Sequence, residues 1–185
     1  MIDNQLMEEV RDGKVEKLAI LFERHHVALF NYFLRLTGNR PGSEDLVQEV
    51  FIRILKYRAT YQGNDKFTLW MYKIARNAHI DHLRKQKDTV PLEDQFEELR
   101  SPELIPEEKV EKAREAALLS RALKKLSPKK QEILLLSRFE NLKYREIAEL
   151  MECPVGTVKV LVHRAVRELG QIYSQLSQEA CRHEM

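Results

Sequence analysis

Lys73, Arg76, Asn77, Ile80 and Arg84 recur at i, i+3, i+4, i+7 and i+11, so a helix would gather three cations and an amide on one face. Cations hold phosphates, and an amide that both donates and accepts can read a base edge. Trp70 and Tyr72 near the start of this stretch, and Tyr61 in the polar turn of residues 60 to 66 before it, add rings able to stack on unpaired bases. The set suits a single nucleic-acid strand, although a plain amphipathic helix with a core tryptophan has the same spacing.

A second basic face lies near the other end. Val155, Val158, Val162, Ala165 and Leu169 share the inward side of a helical pattern, leaving Lys159, Val160, His163, Arg164 and Arg167 outward. Leu142 to Leu150 signals a short preceding helix, Glu152-Cys153-Pro154 a tight turn, and Ala148 is small where two helices must approach. This is the pattern of a helix-turn-helix whose second helix, from about Pro154, enters a major groove. A three-helix packing module with no DNA role is the competing reading.

Asp45, Gln48, Glu49 and Ile52 form a third series at i, i+3, i+4 and i+7, on a different face from the apolar Val47, Val50, Phe51 and Ile54. A mixed acidic and apolar stripe suits docking on another protein, as it also suits ordinary solvated charge. Catalytic patterns are missing: there is no Gly-rich phosphate loop, no metal-spaced His/Cys/Asp cluster and no nucleophile and base pair. The chain is therefore expected to be no enzyme and to need no cofactor, metal or small-molecule substrate. His79 and His82 lack an acidic or Cys partner at ligand spacing and read as facing solvent or DNA. Cys153 reads as a small buried hydrophobe, and Cys181-Arg182-His183 is too sparse for a metal site.

The elements that must position these faces are helical. Val15, Leu18, Phe22, Leu29, Phe33 and Leu36 mark one long amphipathic helix, which Thr37 through Gly42 stops. Ser43, followed by Glu44 and Asp45, is expected to cap the next helix, which runs to about Tyr57. A third helix, about Phe67 to Lys85, buries Phe67, Met71, Ile74 and Ala78. Ala116, Leu119, Leu123 and Leu126 mark a further helix; Ser127 and Pro128 then start another, with Ile133, Leu134 and Leu136 in its core.

Composition agrees. At 185 residues, 43% apolar and 32% charged with only 6 Gly and 6 Pro, the chain is too hydrophobic for disorder and too poor in turn residues to be mostly β. Two cysteines suit a reducing compartment, and with no long apolar run and no basic-then-apolar leader the protein is expected to be cytoplasmic, without membrane insertion. The net charge of +2 conceals segmentation: residues 1–87 hold 15 basic and 11 acidic side chains (+4), residues 88–111 hold 2 and 9 (−7), and residues 112–185 hold 14 and 9 (+5). The middle segment carries three of the six prolines and reads as an extended acidic linker. An all-α fold follows, with two small helical domains, 1–87 and 112–185, joined by that linker. The acidic strand is either a solvated tether or a nucleic-acid mimic for a partner's basic channel.

Three motifs in register carry a resemblance. Asp45-Leu-Val-Gln48-Glu49-Val-Phe51, then Phe67-Thr-Leu-Trp70-Met-Tyr-Lys-Ile74-Ala75-Arg76-Asn77 with Asp81 and Arg84, then Tyr144-Arg-Glu-Ile-Ala148 with Cys153-Pro-Val-Gly-Thr157-Val158-Lys resemble the extracytoplasmic-function sigma factors of bacterial RNA polymerase. The likeness spans about residues 5 to 170. It implies a region 2-like domain followed by a region 4-like helix-turn-helix domain. It also implies a promoter-specificity subunit that binds core RNA polymerase, recognises minus-thirty-five and minus-ten elements and helps melt promoter DNA. By resemblance, Asp45, Gln48 and Glu49 dock on the clamp coiled coil of the largest polymerase subunit. Tyr61, Asn64, Trp70 and Asn77 serve the minus-ten strand, with Lys73, Arg76 and Arg84 on its phosphates. Lys159, Val160, His163, Arg164 and Arg167 serve the minus-thirty-five element. The linker resembles the segment threading the polymerase cleft, and an anti-sigma factor is an implied partner. Leu161, where family members often carry arginine, and Lys143, where they often carry a Ser or Thr cap, depart from the pattern. The alternative function is a stand-alone helix-turn-helix regulator, which needs neither the docking stripe nor the single-strand face.

Overall fold

The computed structural model describes residues 2–63, 66–88, 107–140 and 142–183, with side chains left aside at 86–88, 107–113 and 181–183. Most of the expected acidic linker, Asn64, and the side chains of Cys181 and His183 lie outside the described residues, but Asp88 and residues 107–111 of that expected linker are helical and belong to its flanking helices. The chain divides into two compact units, Met1–Phe96 and Glu97–Met185. Among the described residues all regular structure is helical.

In the first unit, α1 (Asp3–Arg11) is a helix that the sequence reading missed. Its Leu6, Met7 and Val10 are almost fully buried, which ties so short a segment to the core. A 3-10 turn, Val15–Lys17, leads into α2 (Leu18–Thr37). Val15, expected on the inward stripe, is 45% exposed because α2 begins after it; Leu29 and Phe33 are buried as expected, joined by Leu21 and Tyr32, while Leu18, Phe22 and Leu36 are half-buried. Gly38 ends α2 in a left-handed conformation (φ 69°) that glycine adopts without a Cβ penalty.

The next start corrects the expected cap. Asn39, not Ser43, caps α3 (Arg40–Tyr57): its side-chain oxygen accepts from the Gly42 amide at 2.9 Å, and Pro41 sits in the first turn. Ser43 is buried within that turn and donates its hydroxyl to the Asn39 carbonyl at 2.6 Å. The turn Arg58–Thr60 precedes α4 (Phe67–Asp88), which buries Phe67, Met71, Ile74 and Ala78 as expected, and Tyr72 as well. Helix α3 packs between α2 and α4, and α1 touches both α2 and α4.

In the second unit, α5 (Glu107–Lys124) contributes Ala122 and Leu123 to the core, but Ala116 is exposed. Ser127 occupies the cap position of α6 (Pro128–Leu134) without a side-chain capping bond. A π-helical turn, Leu135–Phe139, continues the buried Leu135 and Leu136. Then come α7 (Tyr144–Leu150) and α8 (Val155–His183); α8 packs against α5, α6 and α7, and α7 also touches the π-helical turn. Lys143 is less poor a start than its side chain suggests, because its amide donates to Glu146 Oε2 at 2.7 Å, one half of a capping box. The α7–α8 turn is closed by Cys153 N–H on the Ala148 carbonyl at 3.0 Å, with Glu152 left-handed at φ 51°. Cys153 is half-buried there, not fully enclosed.

Candidate nucleic-acid interface

Helices α3 and α4 enclose a groove of about 430 Å³ lined by Arg53, Tyr57, Ile74, Asn77, Ile80, Asp81 and Arg84. Asn77 is exposed at this groove, Lys73 and Arg76 are half-buried on the same helix, and the Arg84 side chain is 77% exposed. The packing of Ile74 and Ala78 into the core turns this face outward. Arg53 crosses the groove floor: Nε lies 2.6 Å from Glu49 Oε1 and Nη1 lies 2.8 Å from Asp81 Oδ2. Burial works against its charge, but the hydrogen bonds to Glu49 and then Asp81 outweigh it and raise the guanidinium above its ordinary pKa.

The aromatic expectation needs correction. Tyr61 is 2% exposed and Tyr72 likewise buried, so neither ring is an open stacking platform. Tyr61 instead supports Trp70 edge-on, with ring centroids 5.3 Å apart, and Trp70 is the half-exposed ring that remains. His79 is half-buried: it packs 6.4 Å from Phe33, and burial, then the nearby His82, lowers its pKa to about 4. It is neutral at pH 7.

Residues ahead of the motif hold Tyr61 and Phe67, and the sequence reading did not single them out. Asn4 Oδ1 accepts from the Phe67 amide at 2.8 Å, and Arg11 Nη1 donates to the Tyr61 carbonyl at 3.3 Å. The only sequence signal for them was the triplet Leu6, Met7 and Val10 that makes α1 a helix.

On α3, Asp45 and Gln48 are exposed and Ile52 is 60% exposed, while half-buried Glu49 is already engaged by Arg53. On α8, Lys159, Val160, His163, Arg164 and Arg167 are all exposed, above the buried Val158, Val162 and Ala165. Val155 and Leu169, expected inward, are half-buried at the ends of that stripe, as is Leu161. Lys130 of α6 pairs with Glu168 and braces α8 behind its basic face. Among the described residues no three His, Cys, Asp or Glu side chains gather as a metal site, and no helix is long and apolar enough to cross a membrane.

Two family models match this arrangement, sigma-70 region 2 over residues 21–89 and sigma-70 region 4 over residues 116–169. Among curated relatives, the ECF RNA polymerase sigma factor SigW of Bacillus subtilis is 27% identical over 173 residues, covering 89% of this chain and 92% of SigW. The ECF RNA polymerase sigma factor BldN of Streptomyces coelicolor is 32% identical over 175 residues, covering 91% of this chain and 64% of BldN. The chain belongs to the extracytoplasmic-function sigma factors. Sigma factors are the promoter-specificity subunits of RNA polymerase. The fold of this sigma factor is also that of two solved structures at 20% identity. CnrH in complex with the cytosolic domain of CnrY has a TM-score of 0.71, covering 94% of this chain and 97% of that one. The sigma factor RpoE in complex with the anti-sigma factor NepR from Bartonella quintana has a TM-score of 0.68, covering 84% and 96%. The region 2 match takes in the groove and the α3 stripe, the region 4 match takes in the outward face of α8, and α1 precedes both.

Proposed function

We propose that this sigma factor carries core RNA polymerase to promoters and opens them, with its faces dividing the labour. Asp45, Gln48 and the free edge of Glu49, with Ile52 beside them, dock on the clamp coiled coil of the largest polymerase subunit. Lys159, Val160, His163, Arg164 and Arg167 of α8 read the minus-thirty-five element in the major groove. Lys73, Arg76 and Arg84 hold the phosphates of the minus-ten strand, Trp70 stacks on a base, Asn77 reads a base edge, and Asn64 adds a further contact to that strand. The segment between α4 and α5, residues 89–106 with five acidic and one basic side chain, follows the polymerase's basic cleft.

Melting requires no bond-breaking chemistry. A site that holds the single strand better than the duplex shifts the equilibrium, offsetting an unpairing cost of a few kcal/mol. The sigma factor is thus a non-enzymatic subunit that works in the cytoplasm, where the polymerase works. An anti-sigma factor is its expected inhibitor, a reading supported by the RpoE and NepR complex among its structural relatives. The observation that carries the proposal is the exposed Asn77 at the edge of the α3–α4 groove, with three cations on its helix. Permanganate footprinting of a duplex promoter tests it. Thymines in the minus-ten region should react with core polymerase plus sigma factor and stay protected with either alone; protection in all three mixtures would refute the reading.

A further inference from the structure

Helix α1 lies outside the region 2 match, yet one of its faces meets the loop that leads into the minus-ten helix. Asn4, Glu8 and Arg11 stand at i, i+4 and i+7, so they share that face. Asn4 Oδ1 takes the Phe67 amide at 2.8 Å, satisfying one of the donors that the first turn of α4 leaves open. Arg11 Nη1 holds the Tyr61 carbonyl at 3.3 Å, at the other end of the loop. Between them, Gly63 is left-handed at φ 75°, and a Cβ built on it would lie 2.6 Å from Glu8 Oε1, so the carboxylate sits directly over this residue.

The helix is itself well anchored. Leu6, Met7 and Val10 are buried, Asp3 is 2.7 Å from both Arg24 Nη1 and His25 Nε2, and the His25 ring packs 5.3 Å from Phe67. A fixed helix that holds Tyr61 and Phe67 restricts the conformations these two residues can sample, and residues restricted before binding lose less entropy on binding.

We propose that Asn4, with Glu8 and Arg11, acts as a positioning set that holds Tyr61, Gly63 and the first turn of α4 in place for capture of the minus-ten strand. The inference rests on the reading that α4 holds that strand. None of the three residues need touch DNA.

The test compares Asn4→Ala, Asn4→Asp and Asn77→Ala as holoenzymes with core polymerase, on wild-type promoters and on promoters with one minus-ten base changed. Asn4→Ala should slow open-complex formation by roughly 2- to 30-fold, the range expected if a capping contribution is spent on ordering the first turn of α4. It should also narrow the preference for the correct minus-ten base, with core affinity unchanged. Asn4→Asp keeps the acceptor oxygen and should restore both readouts. Normal opening by Asn4→Ala while Asn77→Ala is slow would overturn the positioning role and spare the strand-capture reading. Normal opening by both variants would overturn both. A loss of core affinity in step with opening, or an Asn4→Asp variant as slow as Asn4→Ala, would mean general damage to the unit and would also overturn the proposal.

Discussion

Arg53 on α3 places its Nη1 2.8 Å from the carboxylate of Asp81 on α4, linking the helix with the proposed docking stripe to the helix with the proposed strand-binding face. The same guanidinium holds Glu49 at 2.6 Å, so one side chain ties a proposed docking carboxylate to the wall of the groove. Arg53 is only 21% exposed and Asp81 42%, so the pair is screened less than a surface ion pair. In a double-mutant cycle with Arg53→Leu and Asp81→Asn, the coupling energy should be about 0.5 to 1 kcal/mol. Trp70 is the chain's one tryptophan, so its emission during urea unfolding follows the first unit by itself. Additive single effects would remove the link.

Docking should respond most cleanly to Asp45 and Ile52, since substituting Glu49 also breaks its pair with Arg53. Asp45→Lys with Ile52→Ala should weaken binding to core polymerase by roughly tenfold, about 1.4 kcal/mol, with Trp70 emission unchanged. Wild-type affinity of the folded double variant in a competition pull-down would displace the interface from this stripe.

Arg164→Ala should cost about 1 to 3 kcal/mol of upstream-element binding if the guanidinium grips a guanine, and should relax the preference at one base pair. A phosphate contact instead lowers all sequences alike and reduces the salt slope by about one. Lys159→Ala on the neighbouring turn is expected to follow the phosphate pattern. Anisotropy titrations on upstream duplexes at several salt concentrations separate the two, and no effect from either variant would refute the placement of α8.

Acid should weaken the first unit through His79. Burial and then His82 lower its folded pKa to about 4 from 6.5, so the unfolded chain takes up the proton more readily. The stabilising contribution is complete above about pH 6.5 and is lost as pH falls towards 4. His79→Leu should flatten that part of the stability curve measured by Trp70 emission, whereas an unchanged slope would place the titration elsewhere.

Much of this was legible because local periodicity and the core agree: the burial of Phe67, Met71, Ile74 and Ala78 leaves Asn77 outward, and the burial of Val158, Val162 and Ala165 leaves Arg164 outward. Helix α1 was missed because its apolar signal is three residues long and its stability comes from tertiary packing. Ser43 and Asn39 are both good capping types, and what selects Asn39 is the left-handed Gly38 just before it and Pro41 just after. Tyr61 sits in a polar turn, and nothing local says that its ring turns under Trp70. The Arg53 and Asp81 pair spans 28 residues of sequence, beyond the reach of any helical period.

Asn77→Ala should impair opening of an intact duplex, and a template already mismatched across the minus-ten region should recover only part of the loss. The mismatch removes the cost of unpairing but cannot restore the contact to the base. Permanganate reactivity on the two templates checks this, and normal opening of the intact duplex would remove Asn77 from the site.

Run-off transcription by core polymerase, with and without this chain, across a library of promoters tests the central claim most directly. The account predicts transcripts that require the chain, start at a restricted set of promoters sharing two spaced elements, and fall sharply with Asn77→Ala. A chain that binds duplex operators unaided but adds no transcript to core polymerase at any promoter would contradict it.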